Sequence, residues 1–536
     1  MTRSTTDALI EALAAGARAG RVSRRGFMEG ALFAGASVAG ASALWGSKVA
    51  AQTPQRGGTF RVGLHNANTG DSLDPGTTDS VYMIQLNHAF RSYLTEIAPD
   101  GRAVPDLATA WEASSGAREW RFEIAQGATF HSGKPLRVRD VIASLDYHRA
   151  EDSASAAKAL MAEIEDIRAD GDSAIVIALS VGNADLPYLL SDYHLVIGPA
   201  DEAGNVDWEG GDGTGPYRIL RHEPGVGTSL ARHDGWHREG AWFEALELIA
   251  LNDANARQSA LLTGDVDAIS EADAKTLALM ARNPGVSVVE VASGAHTTLP
   301  MFADTAPFDN LDVRLALKYA IDRQEIVDKI VFGRGSLGND TPIAPTLPFH
   351  HPIPQRPYDP ERASFHLRKA GAEGLSVRLH VSDVVFTGAV DLAVLYREQA
   401  AKAGIDIEVV REPIDGYWSD VWLKKPFCVV EWGARPTPDV MFSLAYRAGA
   451  PWNESRWENA RFNELLLLAK PETDEGKRAA MYAEMQQLVH DDGATVIPYF
   501  RNRVNVFSSR IGHPEKMAGN WELDGARSFQ RWWFKA

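Results

Sequence analysis

Strict alternation of apolar and polar residues in Thr59-Phe60-Arg61-Val62-Gly63-Leu64, just after the Gly/Pro-bearing stretch Pro54 to Gly58, predicts a strand with one buried face. Trp120-Arg121-Phe122-Glu123-Ile124 alternates in the same way, and the apolar run Ala174 to Leu179 predicts a third short strand. The period lengthens after Asp309 and Asn310: Val313, Ala316, Leu317, Ala320, Ile321 and Val327 recur at helical spacing behind an acidic first turn. A strand over 375–381, a helix over 388–403 closed by Gly404 and a strand over 405–410 compose a β-α-β unit. A later helix over 475–490 sets Met481, Met485 and Leu488 on one face, and Phe427 to Val430 read as a buried strand. Between about 200 and 216 the composition turns to Asp and Gly, ending in Gly213-Thr214-Gly215-Pro216, which predicts a crossover between lobes. The chain is mixed α/β, with no internal repeat.

The first 51 residues follow a different logic. Ser23-Arg24-Arg25-Gly26-Phe27-Met28 sets paired arginines before a Gly/Ala-rich apolar run from Phe27 to Trp45, and Val49-Ala50-Ala51 supplies small residues for a signal peptidase. The run is short and holds Glu29, so a permanent membrane span is a poor fit. An ordinary Sec signal or an uncleaved anchor is the other reading. Weak hydrophobicity and Lys48 beside the cleavage site favour the twin-arginine route, hence contact with the Tat machinery and a periplasmic mature protein.

Removing 51 of the 536 residues leaves 485, enough for two or three domains. Six basic against three acidic residues in the leader leave that remainder at −20, where the whole chain carries −17. A balance so acidic argues against a nucleic-acid partner. Cys428 is the only cysteine, so there is no internal disulfide and no sulfur metal site; Phe427-Cys428-Val429-Val430 reads as a structural thiol in a strand.

Catalytic signatures fail one after another. Gly333-Arg334-Gly335-Ser336-Leu337-Gly338 matches a dinucleotide fingerprint by letter, but it follows a helix and leads into Asn339-Asp340-Thr341-Pro342. There is no phosphate loop, nucleophile elbow or His-Glu-x-x-His. Adjacent His350 and His351 point to opposite sides of an extended segment between prolines and read as loop histidines, and Asp491-Asp492 reads as a solvent-facing pair at a helix end. No cofactor is implied.

Taken together, Gly57-Gly58-Thr59-Phe60-Arg61-Val62, Leu73-Asp74-Pro75, Leu107-Ala108-Thr109-Ala110-Trp111-Glu112 and Phe130-His131-Ser132-Gly133-Lys134-Pro135 resemble family 5 extracytoplasmic solute-binding proteins, the dipeptide, oligopeptide and nickel receptors of ABC importers. The resemblance continues through Gly213-Thr214-Gly215-Pro216-Tyr217, Ala260 to Asp267, Pro307 to Arg323, Tyr358-Asp359-Pro360-Glu361 and Lys369-Ala370-Gly371, spanning nearly all of 57–505. It implies a two-lobed periplasmic binding protein (type II, cluster C) with an extra domain inserted in the first lobe. Domain I would comprise 57–95, 210–292 and 500–536, the insert 96–209 and the second lobe 293–499. It also implies a monomer that hands its ligand to an ABC permease and ATPase complex.

In dipeptide-type relatives a Trp followed by an aspartate pairs with the peptide's amino terminus. Here Trp432 is kept and Arg435 stands where the acid would be, which suits an anionic or carboxylate-bearing solute. A salt bridge from Arg435 to Glu431 or Asp439 is the structural alternative; Asp439 itself reads as a loop or hinge organiser. Trp418, Trp432, Tyr446, Asn453 and Trp457 are the further candidates from this region, and Asn66 in His65-Asn66-Ala67-Asn68 is the candidate from domain I by family analogy. The leading reading is a receptor for a small peptide-like or anionic organic solute. A nickel or metal-chelate receptor on the same fold, or a secreted enzyme exported folded, remain as alternatives.

Overall fold

Burial of one face of the strand Thr59–Leu64 organises the first lobe, in a computed structural model that describes residues 13, 24–33, 54–386, 388–413 and 416–535. This strand is central in a seven-stranded sheet, parallel to Ala245–Ala250 on one side and to Ala268–Ile269 on the other. Phe60 beneath it is fully buried and stacks on Phe243 at 4.3 Å. Antiparallel strands Gly227–Arg232 and Tyr217–Glu223 extend one edge, and Arg503–Ser508 and Val286–Val291 the other. The lobe therefore draws on both ends of the chain.

Strands Ala108–Ala113, Glu119–Ile124, Ala174–Leu179 and Ile164–Asp170 form a separate four-stranded antiparallel sheet with its own core around Phe122, Ile175, Ile177 and Leu145. The chain returns from it through the glycine run at 213–215. A Cβ on Gly213 would lie 2.1 Å from the Phe90 carbonyl oxygen and one on Gly215 2.4 Å from its carbon, so the run is glycine because it presses against the end of helix Val81–Phe90.

The second lobe is built on His296–Pro300, flanked by Tyr499–Arg501 and Val430–Trp432 in a five-stranded sheet. The β-α-β expectation is met: Ser376–Val381 and Asp406–Arg411 pair in parallel, with helix Ala389–Ala401 between them. Asn310 caps the helix Leu311–Tyr319, accepting from the Asp312 amide, and a second helix Arg323–Lys329 follows. In helix Glu475–Asp492 the buried stripe runs through Tyr482, Met485 and Val489, with Met481 and Leu488 at its margin. The fingerprint-like segment is the edge strand Gly335–Leu337; a Cβ on Gly335 would lie 2.6 Å from the Phe500 carbonyl oxygen, so close strand packing explains that glycine.

Cys428 is buried and burial pushes its thiol well above the ordinary range, as a structural cysteine should be. His350 and His351 belong to no three-ligand group among the described residues. One expectation is corrected: Asp491 is exposed, but Asp492 is a packing hub that accepts from Arg314, from the Trp457 indole at 2.8 Å and from Asn459. The helix end faces inward because the loop carrying Trp457 folds over it. Within the first 51 residues, Arg24–Phe33 is helical, whereas residues 49–51 and most of the apolar run lie outside the described residues. Among the described residues no helix is long and apolar enough to cross a membrane.

Candidate ligand-binding cleft

Two short crossings join the lobes. Residues 292–295 lead from Val286–Val291 into His296–Pro300, and Asn502 links Tyr499–Arg501 to Arg503–Ser508. They run side by side, since Val291 is in register with Arg503. Two adjacent extended links are the geometry of a hinge, and the space beside them is where a ligand would be enclosed.

The second-lobe wall of that space is organised by an acid that sequence reading missed. Glu454, 4% exposed, accepts from the Thr298 hydroxyl at 2.6 Å and from the indole N–H of Trp422 at 2.9 Å and of Trp432 at 3.0 Å. Burial raises its carboxyl pKa, and these three donors oppose the rise. Trp422 and Trp432 are thereby fixed, and Trp452 packs on both at 5.9 and 6.0 Å. Trp418 continues the wall from Trp422 at 6.0 Å. Glu454 lies inside a Trp-rich loop, Trp452-Asn453-Glu454-Ser455-Arg456-Trp457, and that unusual composition was the available signal.

Arg435 follows the strand Val430–Trp432 and lies over the Trp432 ring, 5.6 Å from its centroid. Its one hydrogen bond is from Nη1 to the Gly433 carbonyl at 3.3 Å, and among the described residues it makes no ion pair. Neither proposed acid partners it: Glu431 is paired with Arg501 at 2.6 Å, and Asp439 is buried at the start of helix Pro438–Ala445. Burial lowers the guanidinium pKa, while Tyr193 and Asp192 of the four-stranded domain act from across the space in the opposite sense. His296, in register with Trp432, is buried with its Nδ1 on the Gly294 carbonyl; burial pushes it down to about 4, so it is neutral and adds no charge beside Arg435.

The opposing wall is built from distant segments. Tyr193 meets Trp521 edge to face at 5.3 Å. Next to Trp521, Glu522 closes a group with His65 and Glu271 whose ligand atoms lie within 4.8 Å of one another. Ser270, already accepting the His65 amide at 3.0 Å, contacts Nδ1 at 2.8 Å, and Nε2 faces Glu271 at 3.0 Å. Arg503 stands 4.0 Å from Glu522. Asn66, on the same loop as His65, is exposed and has φ +60°.

The candidates named from sequence divide into two sets. Arg435, Trp432 and Trp418 share the aromatic wall, with Asn66 on the facing lobe. Tyr446 is held inside the second lobe, packed on Phe442 at 5.8 Å, whereas Asn453 and Trp457 line a separate cavity of that lobe beside Arg314 and Asp492, where the Asn453 amide donates to the Trp457 carbonyl at 2.9 Å and the Trp457 indole donates to Asp492.

Residues 102–454 match the family described as bacterial extracellular solute-binding proteins, family 5. Over 428 residues, 72% of this chain and 77% of the relative, the sequence is 25% identical to heme-binding protein A of Haemophilus influenzae. It is 22% identical to the dipeptide-binding protein of Escherichia coli over 436 residues, 74% of this chain and 80% of that one. The solved structure of HbpA2 from Haemophilus parasuis superposes with a TM-score of 0.79 at 21% identity, covering 89% of this chain and all of that one (100%). Fold, motif order and family match agree: the chain belongs to family 5 of the bacterial extracellular solute-binding proteins, and with it to the extracytoplasmic binding components of ABC importers.

Proposed function

We propose that this protein captures a small anionic or peptide-like organic solute between its lobes and delivers it to an ABC permease and ATPase complex. The observation that carries the reading is Arg435, a half-buried guanidinium that makes no ion pair among the described residues, lying on an aromatic ring in the inter-lobe space. A cation so placed has lost hydration and gains most from a carboxylate held by two parallel hydrogen bonds. Ligand binding would favour lobe closure, and the closed form is what a membrane partner recognises.

Mass spectrometry of solute released from freshly purified protein identifies the ligand. Arg435→Ala is expected to weaken its binding at least about tenfold while leaving the melting temperature nearly unchanged, because no structural ion pair is lost. A large loss of stability with affinity spared would return Arg435 to a structural role. Domain boundaries at 95/96, 209/210, 292/293 and 499/500 belong to the same proposal, as does a monomeric binding unit.

A metal-chelate receptor is the second reading, favoured by His65, Glu271 and Glu522 and opposed by Arg503 beside them. Metal analysis of the purified protein decides it, since stoichiometric nickel would displace the organic-anion reading. Export by the twin-arginine route rests on Arg24 and Arg25. Replacing both with lysine is expected to hold the precursor in the cytoplasm, and normal export of that variant would return the leader to the Sec route.

A further inference from the structure

Four tryptophans in one contact chain are more than a carboxylate-binding site needs. Trp422 and Trp432 have their only polar atoms committed inward, to Glu454, so what they present away from it is hydrocarbon and π-face. Trp452 and Trp418 complete the group but remain 39% and 45% exposed, whereas Trp432 is buried and Trp422 partly buried. Trp418 and Trp452 both contact Trp422 in edge-to-face geometry, with interplanar angles of 85° and 62°. Arg435 covers Trp432 and ends the wall on a positive charge. Rigid indoles that hold their orientation without a ligand lose little side-chain freedom on binding one, which is the arrangement that favours a flat ring.

We infer that the solute carries an aromatic or similarly conjugated ring, which packs on Trp418 and Trp452 while its anionic group meets Arg435. The inference rests on the receptor reading given above and narrows its ligand to aromatic organic anions. Charge complementarity supplies the second half of the argument: a neutral aromatic compound would leave the Arg435 guanidinium desolvated and unpaired.

Two probes of equal charge, N-acetyl-Ala-Trp and N-acetyl-Ala-Ala, separate ring from anion by isothermal titration calorimetry. The aromatic probe is expected to bind about tenfold more tightly, the effect of burying one ring against two others. In the Trp418→Ala/Trp452→Ala variant the two probes are expected to bind within about twofold of each other, with the weaker affinity retained. Trp418→Phe/Trp452→Phe guards against misfolding, and should keep most of the difference. Equal affinity of both probes for the unaltered protein overturns the inference and leaves the receptor reading standing. If neither probe binds but a released solute depends on Arg435, the ring inference falls alone; if neither binds and no solute is recovered, both fall.

Discussion

Asp340→Asn is expected to cost about 3 to 5 kcal/mol. Asp340 is fully buried and accepts from Arg323 Nη2 at 2.7 and 2.8 Å, from Arg356 Nε at 3.0 Å and from the Ile497 amide at 3.0 Å. Burial works against its charge, but Arg323, Lys318 and Arg356 overcome that and hold its carboxyl well below the usual carboxylate range. Lys318 is itself fully buried, its pKa pushed down to about 7 by burial. Removing the one anion strands this group of cations in a low-dielectric interior, so the loss exceeds that of any single hydrogen bond. Asparagine isolates the charge, because it keeps the side-chain shape and tolerates the left-handed backbone at φ +56°. Denaturant unfolding of the second lobe measures it; a loss under about 1 kcal/mol would show that the cations find other partners. The depressed carboxyl contributes stability that is present above its ordinary pKa of 3.8 and lost as pH falls below it.

Asp439→Asn is expected to act in the opposite direction, raising stability at pH 8 by about 2 to 4 kcal/mol while changing little at pH 4. Asp439 is buried where the four-stranded domain meets the second lobe. Burial first, and the charge of Asp185 second, push its carboxyl up to about 7. Across that seam Arg478 pairs with Asp185 at 2.7 Å, Lys470 pairs with Glu163, and the Ala184 amide donates to the Lys470 carbonyl at 2.8 Å. The unfolded chain releases this proton near 3.8 and the folded chain keeps it until about 7. Folding therefore takes up a proton between those values, and stability falls as pH rises through the window. Thermal melts of both proteins from pH 4 to 8 check this. Parallel pH profiles would mean that Arg478 and Lys470 already neutralise Asp439.

Local pattern carried much of the architecture into view. The strand at Thr59–Leu64, the parallel unit around Ala389–Ala401 and the cap at Asn310 each follow from a few neighbouring residues. Arg435 could be singled out too, as a charge opposite to the one the family resemblance implies at that place. Glu454, Tyr193 and Trp521 were not, because their roles depend on separate segments meeting across the fold, Thr298, Trp422 and Trp432 around Glu454 and the two distant stretches that carry Tyr193 and Trp521, and periodicity reports only which side of an element is buried. Trp457 shows the same limit from the other side: an indole in a polar loop looks available for ligand, yet its N–H ends on Asp492, a residue whose own neighbours gave it the look of a surface acid.

The strand Arg503–Ser508 lies between Val286–Val291 and Ala268–Ile269 in the first-lobe sheet. During synthesis the first lobe therefore stays incomplete until almost the whole chain has left the ribosome, while the four-stranded domain and most of the second lobe can already have formed. The lobe that begins first is the one that finishes last, and a ribosome that stops before residue 503 releases a chain whose first-lobe sheet lacks both that strand and the one that pairs only with it, Val286–Val291, which leads into the second lobe.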